Sequence, residues 1–478
     1  MCRRAIPACH WAKRGSPPER RFSHVSCPAV ACGRLAGRRP GQGRFGRRHQ
    51  GHLAGAGGRR GRGRLRHRPC GLCPDQGRPG RGGKDPGPVR PDGSGGDKRM
   101  KYIEEYRDGD LARQLADSIK AEAAPSRTYH LMEFCGGHTH AISRYGLEDI
   151  LPANVRMVHG PGCPVCVLPV GRIDAAIWLA AQPDVILCTY GDMLRVPGSK
   201  RLSLLKAKAE GRDIRMVYST LDAVKLAQAN PDRKVVFFAI GFETTTPPTA
   251  VAIKQAQALG LTNFFVFCNH VLTPSAIAQI LDSPEVRELG TVKLDGFIGP
   301  AHVSTIIGSQ PYEYFAEEYQ RPVVIAGFEP LDVLQAVRML VRQINDGRFQ
   351  VENEFSRAVT RDGNAKAKSL VADMFELRKS FEWRGLGLVP YSALRLKESY
   401  AAFDAERHWD VPQDSVADNK ACECGAILRG VKKPIDCKLF GTICTPENPM
   451  GSCMVSAEGA CAAHWTYGRF RDTKAPAP

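Results

Sequence analysis

Eight short runs rich in β-branched and aromatic residues recur along the chain, and this alternation most narrows the folds open to it. The runs are His130-Leu-Met-Glu-Phe134, Val155-Arg-Met-Val158, Asp184-Val-Ile-Leu-Cys188, Ile214-Arg-Met-Val-Tyr218, Lys234-Val-Val-Phe-Phe-Ala-Ile240, Phe264-Phe-Val-Phe-Cys268, Leu294-Asp-Gly-Phe-Ile298 and Pro322-Val-Val-Ile-Ala326. Stretches of helical spacing, such as Ile173 to Ala181 and Leu221 to Ala229, lie between or after them. Short runs that are apolar at consecutive positions are buried on both faces, as strands of a parallel sheet in an α/β domain are. Ser219-Thr-Leu-Asp-Ala-Val-Lys-Leu-Ala227 and Glu329-Pro-Leu-Asp-Val-Leu-Gln-Ala-Val337 each follow a final strand, 110 positions apart, and share a Leu-Asp at the helix start. The other strands match at offsets of roughly 105 to 111, which predicts two similar four-strand α/β units in tandem, 127–232 and 233–345. An amphipathic helix from about Asp108 to Glu122, within 100–126, is expected to pack on a C-terminal domain, 346–478.

Charge and cysteine usage divide the chain further. Of 67 Lys+Arg and 49 Asp+Glu, residues 1–99 hold 24 and 5, leaving 43 and 44 for the remainder. The basic excess therefore belongs to the first 99 residues, which have no apolar periodicity with which to offset the entropy of ordering. They are expected to be disordered. Stretches such as Gly57-Gly58-Arg59-Arg60-Gly61-Arg62 would suit a nonspecific RNA-binding tail. The favoured expectation is that translation begins at Met100 and that the preceding residues are GC-rich sequence read as protein, its Cys70/Cys73 pair accidental. The nearly neutral body then implies no nucleic-acid partner, and without about 18 consecutive apolar residues no membrane insertion. Its eleven cysteines fall in short clusters without an export signal, which points to metal or redox chemistry in a reducing, cytoplasmic setting.

Ligands of such sheets sit beyond the carboxyl ends of the strands, where the unusual residues fall. Phe134-Cys-Gly-Gly-His-Thr-His140 places Cys135 at a strand end ahead of a helix, where the helix dipole would lower a thiol pKa and His138 could ligate or move protons. A buried structural cysteine fits the same local sequence. In His159-Gly-Pro-Gly-Cys-Pro-Val-Cys166 the spacing of Cys163 and Cys166 permits a small disulfide loop, favoured over half a zinc site. Gly241-Phe-Glu-Thr-Thr-Thr-Pro247 puts Glu243 and its threonines at the next helix start, as caps facing the cleft. Gly299-Pro-Ala-His-Val-Ser304 adds His302 after another strand.

Six cysteines, Cys422, Cys424, Cys437, Cys444, Cys453 and Cys461, occupy forty residues near the C-terminus. Two tight CxxC pairs, usual for zinc, are missing, and a [4Fe–4S] cluster accepts the wide spacings seen.

With its Met-Lys-Tyr-Ile-Glu-Glu-Tyr start at Met100, CGGHTH, GPGCPVC, GFETTTP, PAHVSTIIG and C-x14-C-x6-C-x16-C, the chain from Met100 to about Arg471 resembles the hydrogenase maturation factor HypD family. The resemblance implies Cys422, Cys437, Cys444 and Cys461 as ligands of a [4Fe–4S] cluster, with Cys424 and Cys453 as extras. It also implies assembly of the Fe(CN)2CO group of [NiFe]-hydrogenase with a HypC-type chaperone and HypE, for eventual use in the hydrogenase large subunit. Iron would sit between a HypC cysteine and Cys135, and cyanide would arrive as a thiocyanate on HypE. On that footing Cys163/Cys166 would supply two electrons, the cluster would recharge them, His138 and His302 would manage protons and Glu243 would orient a partner or ligand. Two other readings stay open: a non-redox scaffold for HypC and HypE, and an iron–sulfur electron-transfer enzyme for a small molecule. The second lacks a CxxxCxxC run for radical chemistry and a GxGxxG after a strand for a nicotinamide.

Overall fold

The computed structural model describes residues 103–469, and the expectations attached to residues 1–99 lie outside them. All eight apolar runs form strands, and a ninth joins them: β1 (Tyr129–Glu133), β2 (Val155–His159), β3 (Val185–Thr189), β4 (Ile214–Met216), β5 (Lys234–Gly241), β6 (Phe264–His270), β7 (Gly296–Gly299), β8 (Val323–Ile325) and β9 (Val351–Asn353). Four helices matter below: α1 (Gly109–Glu122), α2 (Gly136–Tyr145), α3 (Thr220–Ala229) and α4 (Pro330–Asn345).

Every pairing among these strands is parallel, and β3, β5, β6, β7 and β8 are buried on both faces, as strands of such sheets are. They do not sort into tandem units. One sheet runs β2-β1-β7-β8-β9 and the other β4-β3-β5-β6. The expected boundary at 232/233 is thereby corrected: each half contributes two strands to each sheet. Counted within their own halves, both sheets repeat one order, second, first, third, fourth. A run of apolar residues states only that a strand is buried, while its neighbour is chosen by pairings as remote as Leu131 with Gly296. The repeat is real locally: Ser219 with Asp222 at α3, and Glu329 with Asp332 at α4, form equivalent capping boxes.

Each sheet reverses its strand order once, between β1 and β7 and between β3 and β5. At such a point the loops leave in opposite directions and open a crevice at the carboxyl edge.

Asp108 starts α1 by accepting the amides of Asp110 and Leu111 at 2.8 and 3.0 Å. The helix packs on α4, correcting the expectation that it would reach the C-terminal domain. Its buried residues, Ala112 and Ile119 among them, share a core with Val333, Leu334, Val337 and Val341 of α4. Glu122 accepts from Arg338 and Arg342, which fasten the helix end. The expected boundary at 346 also shifts, because β9 extends the first sheet. Beyond it come a helix, Ala365–Met374, two antiparallel ribbons, and short helices and turns that carry the six cysteines. Among the described residues no helix is long and apolar enough to cross a membrane.

Candidate functional site

The reversal point of the first sheet gathers the ends of β1, β2, β7 and β8. Cys135 follows β1 and is the N-cap of α2, its side chain buried. Backbone groups of Gly137 and His302 act on its sulfur to favour the thiolate, as a helix start should. They lose to burial. Desolvation, with the nearby charges of Glu458 and Glu133, pushes the thiol up to about 12, which overturns the expected lowering. The thiol therefore keeps its proton until a metal or electrophile displaces it.

Glu133, the last residue of β1, is completely buried, and its carboxylate accepts three hydrogen bonds. Oε2 takes the Cys135 amide at 2.9 Å, while Oε1 takes the Thr139 hydroxyl and pairs with His159 Nδ1 at 2.9 Å. Burial works against the imidazolium of His159, but the Glu133 carboxylate outweighs it and raises the pKa. Glu133 and His159 are register partners across β1 and β2, so the contact is built into the strand pairing.

His159 opens the loop that carries Cys163 and Cys166, which are joined as a disulfide. The loop lies directly on Cys135: Gly136 N donates to Gly162 O at 3.0 Å. A Cβ on Gly162 would fall 2.5 Å from Cys135 N, so only glycine allows the approach. On its other side the loop meets the cysteine-rich segment. Ser452 Oγ donates to Cys166 O at 2.9 Å, and a Cβ on Gly459 would come within 3.1 Å of Cys166 Sγ.

His138 is buried, with Nε2 at 3.0 Å from Ala326 O and 2.9 Å from Gly327 O, the turn after β8. Two carbonyls require the proton on Nε2, which leaves Nδ1 as a buried acceptor without a partner among the described residues. Burial lowers its pKa, so it is a neutral imidazole. The rings of His138 and His302 both lie against Phe328, at 5.2 and 4.1 Å between centroids. Burial, then His138, lowers the pKa of His302 as well.

Glu243 lies apart from this group, on the second sheet after β5. Its carboxylate accepts the Thr273 amide at 2.9 Å and hydroxyl at 3.1 Å, and so caps the helix Thr273–Leu281, not the helix that follows it in sequence. Burial pushes its pKa to about 7. The threonines beside it do not cap by side chain: Thr245 and Thr246 donate back to Phe242 O at 3.1 Å each. No hydrogen bond or ion pair among the described residues links Glu243 to Cys135 or the disulfide.

Five of the C-terminal cysteines converge. Cys422 Sγ lies 3.3 Å from Cys424 Sγ, the free thiols of Cys453 and Cys461 hydrogen-bond with Cys424 and with each other, and Cys444 feels the charge of Cys422 and Cys424. Met450 N donates to Cys444 Sγ at 3.4 Å, and the buried Arg384 guanidinium acts on Cys422 and Cys453. Among the described residues no three Cys, His, Asp or Glu side chains are arranged to hold a metal ion, although soft thiolates, an amide donor and a buried cation are the donor chemistry an iron–sulfur cluster takes. Cys437 is buried, and no hydrogen bond joins it to these sulfurs among the described residues.

The HypD family model, described as "Hydrogenase formation hypA family", matches residues 110–468. The chain belongs to the HypD family. Among curated relatives, the hydrogenase maturation factor HypD of Rhizobium leguminosarum bv. viciae is 72% identical over 373 residues, covering 78% of this chain and 97% of the relative. That of Cupriavidus necator is 68% identical, with 78% and 98% covered. That of Escherichia coli (strain K12) is 46% identical, with 77% and 98% covered.

For this HypD family member, four residues of the site went unnoticed in the sequence: Glu133, His159, Glu458 and Phe328. Glu133 did leave a signal, a carboxylate within the mostly apolar run His130-Leu-Met-Glu-Phe134. Glu458 left none, since its approach to Cys135 is tertiary. The cysteines carry a test. The family pattern selects Cys422, Cys437, Cys444 and Cys461, whereas the converged sulfurs include Cys424 and Cys453 in place of Cys437. If these cysteines hold a [4Fe–4S] cluster, Cys422→Ser, Cys444→Ser and Cys461→Ser are each expected to abolish its visible charge-transfer absorption and to lower iron content. If Cys437→Ser does the same and Cys424→Ser does not, the family set ligates; the reverse result assigns Cys424.

Proposed function

We propose that the protein assembles the iron group of [NiFe]-hydrogenase in the cytoplasm, holding iron on Cys135 while cyanide and carbon monoxide are added. In this reading it works with a HypC-type chaperone, whose cysteine shares the iron, and with HypE, which presents cyanide as a thiocyanate. The observation that supports it best is the contact order at one sheet edge: a single buried thiol, then a Cys163/Cys166 disulfide, then a group of converging cysteines.

The chemistry asks for those parts. Transfer of cyanide from a thiocyanate, R–S–CN, consumes two electrons and yields R–S⁻ and CN⁻. Oxidation of the Cys163/Cys166 dithiol to the disulfide releases two electrons and two protons, so one pair matches one cyanide. A cluster held by Cys422, Cys437, Cys444 and Cys461 would supply one-electron transfers for recharging that pair. Cyanide and carbon monoxide make low-spin iron, which a soft thiolate at Cys135 suits better than a carboxylate. The Cys135 proton must leave when iron binds, and the unpartnered Nδ1 of neutral His138, three residues along the chain on α2, is a buried acceptor. His302 faces the Cys135 sulfur through its backbone and Phe328 through its ring, so it orders the pocket wall. Glu243, buried on the other sheet with its carboxylate bonded to Thr273, takes no part in this chemistry.

Infrared spectroscopy of the anaerobic complex with a HypC-type chaperone tests the reading. Cyanide and carbonyl stretching bands are expected, and Cys163→Ala is expected to hold iron yet gain no cyanide bands from charged HypE without added thiol. Cyanide bands arriving at the normal rate in Cys163→Ala would leave a non-redox scaffold. Iron without any bands in the unmodified complex, charged HypE included, refutes the assembly role.

A further inference from the structure

Glu133 stands out because nothing in the proposed chemistry uses it. A completely buried carboxylate at the end of a parallel strand costs several kcal/mol to desolvate, and is retained where it is fully bonded and does something else. It is fully bonded. Its three donors come from the Cys135 amide, from Thr139 on α2 and from His159 on β2. Together with the backbone links Gly160 N to Glu133 O, at 2.9 Å, and Gly136 N to Gly162 O, at 3.0 Å, this one side chain ties the Cys135 loop to the disulfide loop.

Resting on the proposed role of Cys135, we infer that Glu133 and His159 form a positioning pair that fixes the Cys135 thiol and sets the electron density at iron bound there. Glu133 touches the Cys135 amide and not the sulfur, so it acts through another residue. Two effects follow. Its hydrogen bond holds the Cys135 backbone, and hence the direction of the thiol, against the disulfide loop. Its negative charge lies in a buried, weakly screened region two residues from the sulfur, where it keeps the thiolate electron-rich. His159 balances that charge from the disulfide side and is only 17% exposed, so the balance is internal to the protein. Groups that support ligating side chains in this way alter metal affinity by about 10- to 100-fold when removed.

The test uses the full chain with its HypC-type chaperone, purified anaerobically, and compares Glu133→Gln, His159→Ala and His159→Gln with the unmodified protein. Iron content after exhaustive desalting and competition with a chelator gives relative affinity, infrared spectra give the carbonyl and cyanide positions, and thermal unfolding reports folding. Glu133→Gln is expected to weaken iron retention about 10-fold or more and to move the carbonyl band to higher wavenumber, because less charge is pushed through the thiolate into the iron. His159→Ala is expected to weaken retention as well, and His159→Gln, which keeps a donor toward Glu133, to restore it most of the way. A merely structural role would lower the unfolding temperature and leave the carbonyl band where it is. If Glu133→Gln and His159→Ala retain iron and bands like the unmodified protein, the inference is overturned while the role of Cys135 stands. Should Glu133→Gln not fold, the two His159 variants decide, and equal behaviour of all His159 forms overturns it. An unmodified complex without iron or bands removes the role of Cys135, and this inference with it.

Discussion

If iron rests on Cys135 as proposed, replacing Cys135 with serine is expected to strip the complex with a HypC-type chaperone of that iron and of every cyanide and carbonyl band, while leaving the fold intact. The substitution exchanges one buried atom for a smaller one in a side chain that is 6% exposed, so its packing cost is slight. The coordination cost is not slight. A hydroxyl is a hard and weak donor to low-spin iron, and this one would have to ionise where even the thiol is pushed up to about 12. Its loss should therefore exceed the 10- to 100-fold typical of supporting residues. Iron analysis of the anaerobic complex, with folding as the internal control, checks it. Retention of the infrared bands by Cys135→Ser would move the iron off this residue.

The largest stability effect is expected at Glu406, far from the sulfur chemistry. Arg172, on the helix after the disulfide loop, donates to Glu406 Oε1 at 2.8 Å, and Arg378 pairs with Oε2. All three are largely buried, with side-chain exposures of 9%, 11% and 17% for Arg172, Glu406 and Arg378. The Arg172 guanidinium also lies 4.2 Å over the Phe267 ring and reaches Asn269, so the network joins the second sheet to the C-terminal region. Glu406→Leu would leave two guanidiniums buried without their anion, which is expected to destabilise by about 3–5 kcal/mol in denaturant titrations. A loss below about 1 kcal/mol would place the network with ordinary surface pairs.

The same network has a pH signature. Burial alone would raise the Glu406 carboxyl, but Arg172 and then Arg378 hold it down at about 2. An unfolded glutamate titrates near 4.3. The folded form therefore binds this proton more weakly than the unfolded form, so the contribution is complete above about pH 4.3. It is lost as pH falls from there through about 2. Unfolding followed between pH 5 and 2 should show this slope diminished in Glu406→Gln.

Much of this molecule was legible because its signals are local. A strand buried on both faces declares itself by consecutive apolar residues, as β5 and β6 do. Cys135, Cys163, Cys166 and His302 were legible because strand ends, glycines and prolines mark where the chain turns at a carboxyl edge. The repeat around Ser219 and Glu329 was legible too, since a capping box is a property of four residues. The exchange of strands between halves was not. Nothing within β1 distinguishes β7 from β3 as a neighbour, and the choice depends on how helices and loops pack over both sheets.

The site divides in the same way. Which residues could do chemistry was written in the amino-acid sequence: a thiol before a helix, a Cys-x-x-Cys loop, six clustered cysteines and two histidines. Tertiary structure decided their states and company. It buried Cys135 against Glu458, more than three hundred residues away in sequence, and so raised a thiol that its helix start alone would have lowered. It kept Glu243 on the other sheet, drew Cys424 and Cys453 among the converging sulfurs, and set His159 on Glu133. Residue type determines what a group can donate, accept or ligate. Desolvation and the charges brought near it by folding determine which of those it does, and neither can be read from the neighbours along the chain.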